Sequence, residues 1–297
     1  MNIEAFSKAV MAFIAKYRWA AAVALALLLA VLGFLLAQTL QPAKPSSAIE
    51  AVLHHLNEAP TPEALHIPEA VPVPEHERTA LPRIAIVIDD VGMVDETTKQ
   101  SIALPAPVTL SFFPYASGVQ SKVNEAKAAG HEVFMHVPME ALGGEEPGPD
   151  TLRVDTNERE LREVIARNLN SFTGYAGINN HMGSKFTADD SGMRFVMEEV
   201  KARGLIFLDS RTNPATKGEG IAREMGVKTI RRHIFLDNVL TEENVANQFA
   251  ELLKLADAQN MAVAIGHPHH VTLEVLAKIL PYLRSRYELV PVSALAK

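Results

Sequence analysis

From residue 83 to residue 297 short apolar runs alternate with amphipathic segments, and this alternation restricts the fold more than any other feature. The apolar runs are Ile84–Ile88, Val108–Phe113, Glu132–Val137, Ala176–Asn179, Leu205–Leu208, Val227–Ile230, Met261–Ile265 and Leu289–Val292. The segments between them carry helical spacing. Asn157–Phe172 places Leu161, Val164, Ile165, Leu169 and Phe172 on one face, and Asp189–Arg203 does the same with Met193, Val196, Met197 and Val200. Ser117–Ala129, Thr241–Gln259 and Thr272–Arg284 complete the series, with Gly130 and Gly204 as C-terminal stops and Thr241 as an N-cap. Strand–helix repetition on this scale requires a mostly parallel sheet, either open and doubly wound or rolled into a barrel. No GxGxxG follows the first strand and no phosphate-binding loop is present, which favours the barrel over nucleotide folds.

The first run, R-I-A-I-V-I-D-D-V-G (Arg83–Gly92), passes from β-branched residues into two adjacent carboxylates, Asp89 and Asp90. A continuous apolar run of this length reads as a strand buried on both faces. Adjacent carboxylates repel, so a metal, a basic side chain or a proton must hold them. Other unusual polar residues also gather at strand C-termini: His136–Glu140, Asn179–Ser184, Asp209–Thr212 and Gly266–His270. In a βα barrel all these ends surround one mouth. An Asp and two His facing one point suit Zn²⁺, or a similar divalent ion, with positions left for water and substrate. A second carboxylate to take a proton and a His to give one complete the parts for metal-assisted hydrolysis of an amide or ester.

The chain has no cysteine, so a metal must sit on His, Asp or Glu. Of the net charge of −7, residues 1–40 carry +2 and residues 41–82 carry −4, which leaves −5 for the main domain. That balance argues against nucleic acid as a ligand. Trp19–Ala37 is uncharged and apolar, spans roughly 28 Å as a helix, and continues uncharged to Leu40. With Lys8, Lys16 and Arg18 before it, residues 1–18 are expected in the cytoplasm and 19–40 across the bacterial inner membrane as a single uncleaved anchor. The domain at 83–297 is then expected in the periplasm. Residues 41–82 hold eight of the 18 prolines and read as an extended linker, in which Ser47–Asn57 has the pattern of a short helix and His54 and His55 face solvent.

Several motifs in the main domain resemble the divergent polysaccharide deacetylase family, a branch of the NodB-like carbohydrate esterase superfamily. They are I-D-D-V-G, S-F-F-P-Y-A (Ser111–Ala116), G-H-E-V-F-M-H-V-P-M-E (Gly130–Glu140), N-N-H-M-G-S, F-L-D-S-R-T and A-I-G-H-P-H. The resemblance implies an α/β fold, a distorted (β/α) barrel with a metal at its mouth, acting on an N-acetylated envelope glycan. By position, it makes Asp89 the catalytic base, Asp90 and His136 metal ligands, and His267 or His269 the general acid, with Asp209 supporting that His or lining the cleft. The family's H-x-x-x-H motif ends here on Glu140, which leaves Glu140 a possible ligand and His181 the choice for the third. Tyr115, Asn180, Ser184 and Arg211 are the expected substrate contacts. His131 is expected to be exposed, His233 to lie in a solvated or substrate-facing R-R-H cluster, and His270 to begin the last helix. The alternative is an inactive scaffold that binds glycan or a cell-envelope protein.

Overall fold

The computed structural model describes residues 46–57 and 80–297, with the short pieces 6–8, 16 and 29. The apolar run expected to cross the membrane therefore lies, apart from Leu29, outside the described residues. Among the described residues no helix is long and apolar enough to span a bilayer.

One compact unit covers Ser46–Lys297. Its strands are β1 (Arg83–Val91), β2 (Thr109–Phe112), β3 (Glu132–Met139), β4 (Gly177–Met182), β5 (Ile206–Asp209), β6 (Thr229–Arg231), β7 (Ile234–Phe235), β8 (Met261–Gly266) and β9 (Glu288–Leu289). They form one sheet in the order β6-β5-β4-β3-β2-β1-β8-β7, with β9 added beside β1, and the paired strands run parallel. The two ends of that order are neighbours in the chain, since only Arg232 and His233 separate β6 from β7. Three residue steps reach about 11 Å at most. The sheet must therefore curl until its edges nearly meet, giving a distorted barrel with a seam instead of a closing ladder. His233 bridges that seam: its backbone N–H donates to Val263 O (2.9 Å) and its Nδ1 accepts Val263 N–H (3.0 Å).

The helices are α1 (Ser47–Asn57), α2 (Asp95–Ile102), α3 (Val119–Ala128), α4 (Glu158–Leu169), α5 (Asp190–Ala202), α6 (Gly218–Glu224), α7 (Glu242–Gln259) and α8 (His270–Leu283), and all but α2 and α6 follow the helical spacing of the sequence. Side-chain caps fix three of their starts, with Asn157, Asp189 and Thr241 each accepting a first-turn N–H. β7 and α6 are too short for periodicity to mark them.

Alternation along each strand divides the core in two. Ile84, Ile86, Ile88, Val133, Met135, Phe207, Ala262 and Ala264 face outward and pack under the helices. Ala85, Val87, Phe134, Leu208, Ile230, Val263 and Ile265 face inward, with Val292 and Leu295 of the C-terminal turn plugging the bottom. This parity decides which residues reach the mouth.

Two histidine expectations change here. His131 is buried, its Nε2–H donating to Ile102 O (2.9 Å) and its Nδ1 accepting Val108 N–H (3.3 Å). α1 belongs to the compact unit and buries Ile49, Val52 and Leu56, so the linker is not extended throughout. His55 lies 3.2 Å from the Tyr287 hydroxyl, which donates to Asp257 Oδ2 (2.9 Å), so it is not simply solvated.

Candidate functional site

Inward parity carries β1 from Ala85 and Val87 to Asp89, which is 2 % exposed at the top of the interior. Asp90, the next residue, would point outward. A bulge prevents this: Ile88 pairs with Leu110 but Val91 with Phe112, so β1 holds one residue more than β2 between those pairs. Asp90 takes a left-handed conformation (φ 57°), and its carboxylate turns into the mouth. Gly92 (φ 109°) completes the turn, where a Cβ would sit 2.8 Å from that of Ala116.

β3 and β4 supply the imidazoles. His136 shares the parity of inward-facing Phe134, and its register partner on β4 is Asn179. His181 stands two residues further along β4 on the same face, a diagonal neighbour of His136 within side-chain reach. Asp90 Oδ1 is 3.2 Å from His136 Nε2 and 3.1 Å from His181 Nδ1, and the two nitrogens are 3.2 Å apart. Tetrahedral ligands at about 2.0–2.1 Å from zinc lie about 3.3 Å from one another, so this triangle fits such an ion. Among the described residues Asp90 Oδ1 is buried without a well-aligned hydrogen bond, although the two imidazole nitrogens stand 3.1–3.2 Å away, which is costly unless a cation faces it. Burial opposes its charge, yet the two imidazoles hold the Asp90 carboxyl well below the usual carboxylate range.

Asn179, which the motif reading passed over for Asn180, organises the set. Its Nδ2 donates to Asp89 Oδ1 (2.8 Å) and to Ser210 Oγ (3.1 Å), while its Oδ1 accepts from Ser111 Oγ (2.5 Å) and His136 Nδ1–H (3.0 Å). The last bond fixes the tautomer that leaves His136 Nε2 free for a metal. Asp89 Oδ2 faces the triangle, 3.7 Å from His136 Nε2. Burial pushes the Asp89 carboxyl up, against the pull of His136 and His267.

Across the mouth, Asp237 follows β7, and it too was not foreseen. Its Oδ1 lies 2.9 Å from His267 Nδ1, and its Oδ2 accepts His267 N–H (2.6 Å) and Thr272 Oγ–H (2.9 Å). His267 Nε2 is the ring nitrogen that does not face Asp237. Burial works against the charged ring, but the bond to Asp237, with the charges of Asp237, Asp89 and Asp90, lifts it to about 9. Asp237, His267 and His269 form a second group of ligand-type atoms. Both Asp237 oxygens are already engaged, however, so the group reads as an acid–base pair with exposed His269 beside it.

Other expected site residues lie elsewhere. Glu140 is not at the triangle: its Oε1 accepts from Lys185 Nζ (2.7 Å) and its Oε2 from Val154 N–H (2.9 Å). β3 stays extended through Met139, and four residues of strand advance about 13 Å, too far for His136 and residue 140 to share one ion. Asp209 neither supports His267 nor lines the cleft. It has the outward parity of Phe207, and its carboxylate accepts Arg211 N–H, Thr216 Oγ–H and Glu219 N–H at the start of α6. Asn180, also facing outward, bonds Met182 O and Ser210 N–H, and Ser184 Oγ accepts Leu142 N–H. Tyr115 stays beside the site, stacked on Phe113 (4.9 Å), whose ring meets His181 edge-on (4.8 Å). Its hydroxyl donates to Pro147 O, and burial with the Asp90 charge pushes it up to about 12. Arg211, at φ 49°, closes the end of β5.

Comparison with known proteins agrees with this fold. YibQ of Escherichia coli K12 is 35% identical over 213 residues, 72% of this chain and 67% of its own length. A protein of Haemophilus influenzae Rd is 33% identical over 208 residues, 70% of this chain and 74% of that one. The crystal structure of ATU2773 from Agrobacterium tumefaciens C58 superposes with a TM-score of 0.71 at 28% identity, over 72% of this chain and 89% of that one. The family model described as divergent polysaccharide deacetylase matches residues 86–296, and the chain belongs to that family.

Proposed function

We propose that the domain is a metal-dependent hydrolase that removes acetyl groups from an N-acetylated glycan of the cell envelope. One observation carries this reading: Asp90, His136 and His181 converge to 3.1–3.2 Å around a buried, unsatisfied carboxylate oxygen, between Asp89 and His267. The family's description supplies the substrate class. Asp90, His136 and His181 would hold the ion, with Zn²⁺ first among divalent candidates for this His₂–carboxylate set. A bound divalent ion supplies a Lewis acid for the acyl carbonyl and an acidified water.

The chain's own groups do the rest. Asp89, held by Asn179 through Oδ1, presents Oδ2 to accept a proton from the attacking water. His267, cationic through Asp237, gives its Nε2 proton to the departing amine nitrogen as the C–N bond breaks. Tyr115, stacked on the buried Phe113 beside His181, offers an apolar face to a sugar ring.

The test is metal analysis of the purified chain followed by acetate release from chitooligosaccharides and peptidoglycan fragments. Bound metal with acetate release that disappears in Asp89→Asn supports the reading. Bound metal without any release from these glycans leaves a binding scaffold and refutes it. We also place the domain in the periplasm, anchored in the inner membrane by residues 19–40. Topology reporters fused after residue 150 are expected to be active outside the cytoplasm, and cytoplasmic activity would refute that placement.

A further inference from the structure

Arginines on the outer helices are neutralised: Arg162 pairs with Glu158 and Glu198, Arg194 with Asp190 and Glu224, and Arg223 with Glu219. Two arginines at the mouth are treated differently. Arg232, in the seam after β6, donates Nε to Ser210 O (2.6 Å) and Nη2 to Arg211 O (2.8 Å), and its guanidinium lies 3.6 Å over the Phe235 ring. Phe235 in turn stacks on His267, with centroids 6.0 Å apart. Ser210, whose carbonyl Arg232 binds, accepts on its hydroxyl the Asn179 amide that also holds Asp89. Arg232 is thus built into the rim of the same mouth, linked to both the proposed base and the proposed acid.

Arg211 stands next to it, its backbone in the left-handed region (φ 49°) with its N–H donated to Asp209 Oδ1 (2.9 Å). Among the described residues neither guanidinium forms an ion pair with a carboxylate, in a domain whose net charge is negative. Their mutual repulsion shows in the half-buried Arg232, which burial and then the Arg211 charge bring down to about 10. The Arg232 guanidinium, fixed by two carbonyls and an aromatic face, with the Arg211 charge beside it and Asp209 and Asp89 acting on it without pairing, is suited to a planar or tetrahedral oxyanion.

We propose that Arg211 and Arg232 form an anion subsite on the β5–β6 side of the mouth, so that the preferred substrate is an N-acetylated sugar carrying a carboxylate or phosphate close to the acylated position. This rests on the proposed hydrolase reading for the N-acetyl group, but not for the anion.

The test is ligand-observed NMR titration of the full chain with three probes: N-acetylglucosamine, N-acetylglucosamine 6-phosphate and N-acetylmuramic acid. At least one charged sugar is expected to bind about tenfold more tightly than the neutral one, the order of a single charge-assisted contact. Which of the two does so distinguishes phosphate from carboxylate. Arg211→Gln is expected to reduce the preference of charged over neutral sugar to about twofold. Arg232→Lys, which keeps the charge but loses the fork, is expected to reduce it in part. Equal binding of all three probes by the native chain overturns the proposal. So does a preference that survives in both variants, since the anion would then be held by a bound metal. A preference with the expected variant response but no acetate release would refute the hydrolase and leave the anion subsite standing.

Discussion

The two sides of the mouth use the same residue types for opposite ends. On the β1–β3–β4 side, Asp90 sits between His136 and His181 with a buried oxygen that no donor satisfies. On the β7–β8 side, Asp237 is more enclosed, its side chain 1% exposed against 33% for Asp90, and both its oxygens are engaged by His267 and Thr272. An Asp–His contact alone therefore says little about role. Hydrogen-bond satisfaction separates them: on the proposed reading the unsatisfied carboxylate is a metal ligand, and the satisfied one orients an imidazole.

This contrast breaks if the two sides respond alike to substitution. The largest effect is expected on the first side, where His136→Ala or Asp90→Asn should weaken metal binding by more than about 100-fold, beyond what loss of an outer partner causes, as read by competition with a chromogenic chelator. Asp237→Asn and His267→Ala should keep a full metal complement and lower turnover by about 10²–10⁴-fold, the contribution of a positioned proton donor. Metal loss in those two variants would mean that the second group also binds an ion.

Asn179 joins the two halves of the first side, and Asn179→Leu leaves Asp89, His136, Ser111 and Ser210 without their shared partner. Metal affinity should fall about 10–100-fold, and urea titration should show a stability loss of about 1–3 kcal/mol.

The pH dependence sharpens the second side. Asp237 raises His267 above its ordinary 6.5, so the proton-donating form persists past neutrality and turnover should fall as pH rises through about 9. The sign for stability is the same: the contribution is complete below about 6.5 and is lost on the way to 9. Asp237→Asn should move the alkaline limb of the rate profile downward. A limb that stays in place would assign it to another group.

The smallest effect belongs to Glu140. Glu140→Gln should leave metal content and turnover unchanged and cost at most about 1 kcal/mol, because Lys185 is 42% exposed and the pair is screened.

The curled parallel sheet, most of its strands and the gathering of polar residues at their C-terminal ends are legible in the sequence, since β-branched runs and helical spacing report burial directly. The sequence hides how side chains alternate inward and outward at those ends. Asp209 and Asn180 look like site residues by type, but they share parity with Phe207 and Ile178 under the helices. The same parity rule, counted back from His181, points to Asn179. Asp90 breaks the rule through a bulge that only the pairing of β1 with β2 reveals. Asp237 follows a two-residue strand that no periodicity marks. Glu140 occupies the family's motif position, but only the extended course of β3 through Met139 shows why His181 on the next strand meets His136 instead.

Metal stoichiometry of the purified chain and four variants, measured by plasma emission spectrometry, tests the central claim most directly. One divalent ion per chain is predicted for the native protein and for Asp237→Asn, and none for Asp90→Asn, His136→Ala or His181→Ala. A native protein that takes up no divalent ion, or variants on the first side that keep one, would contradict the account.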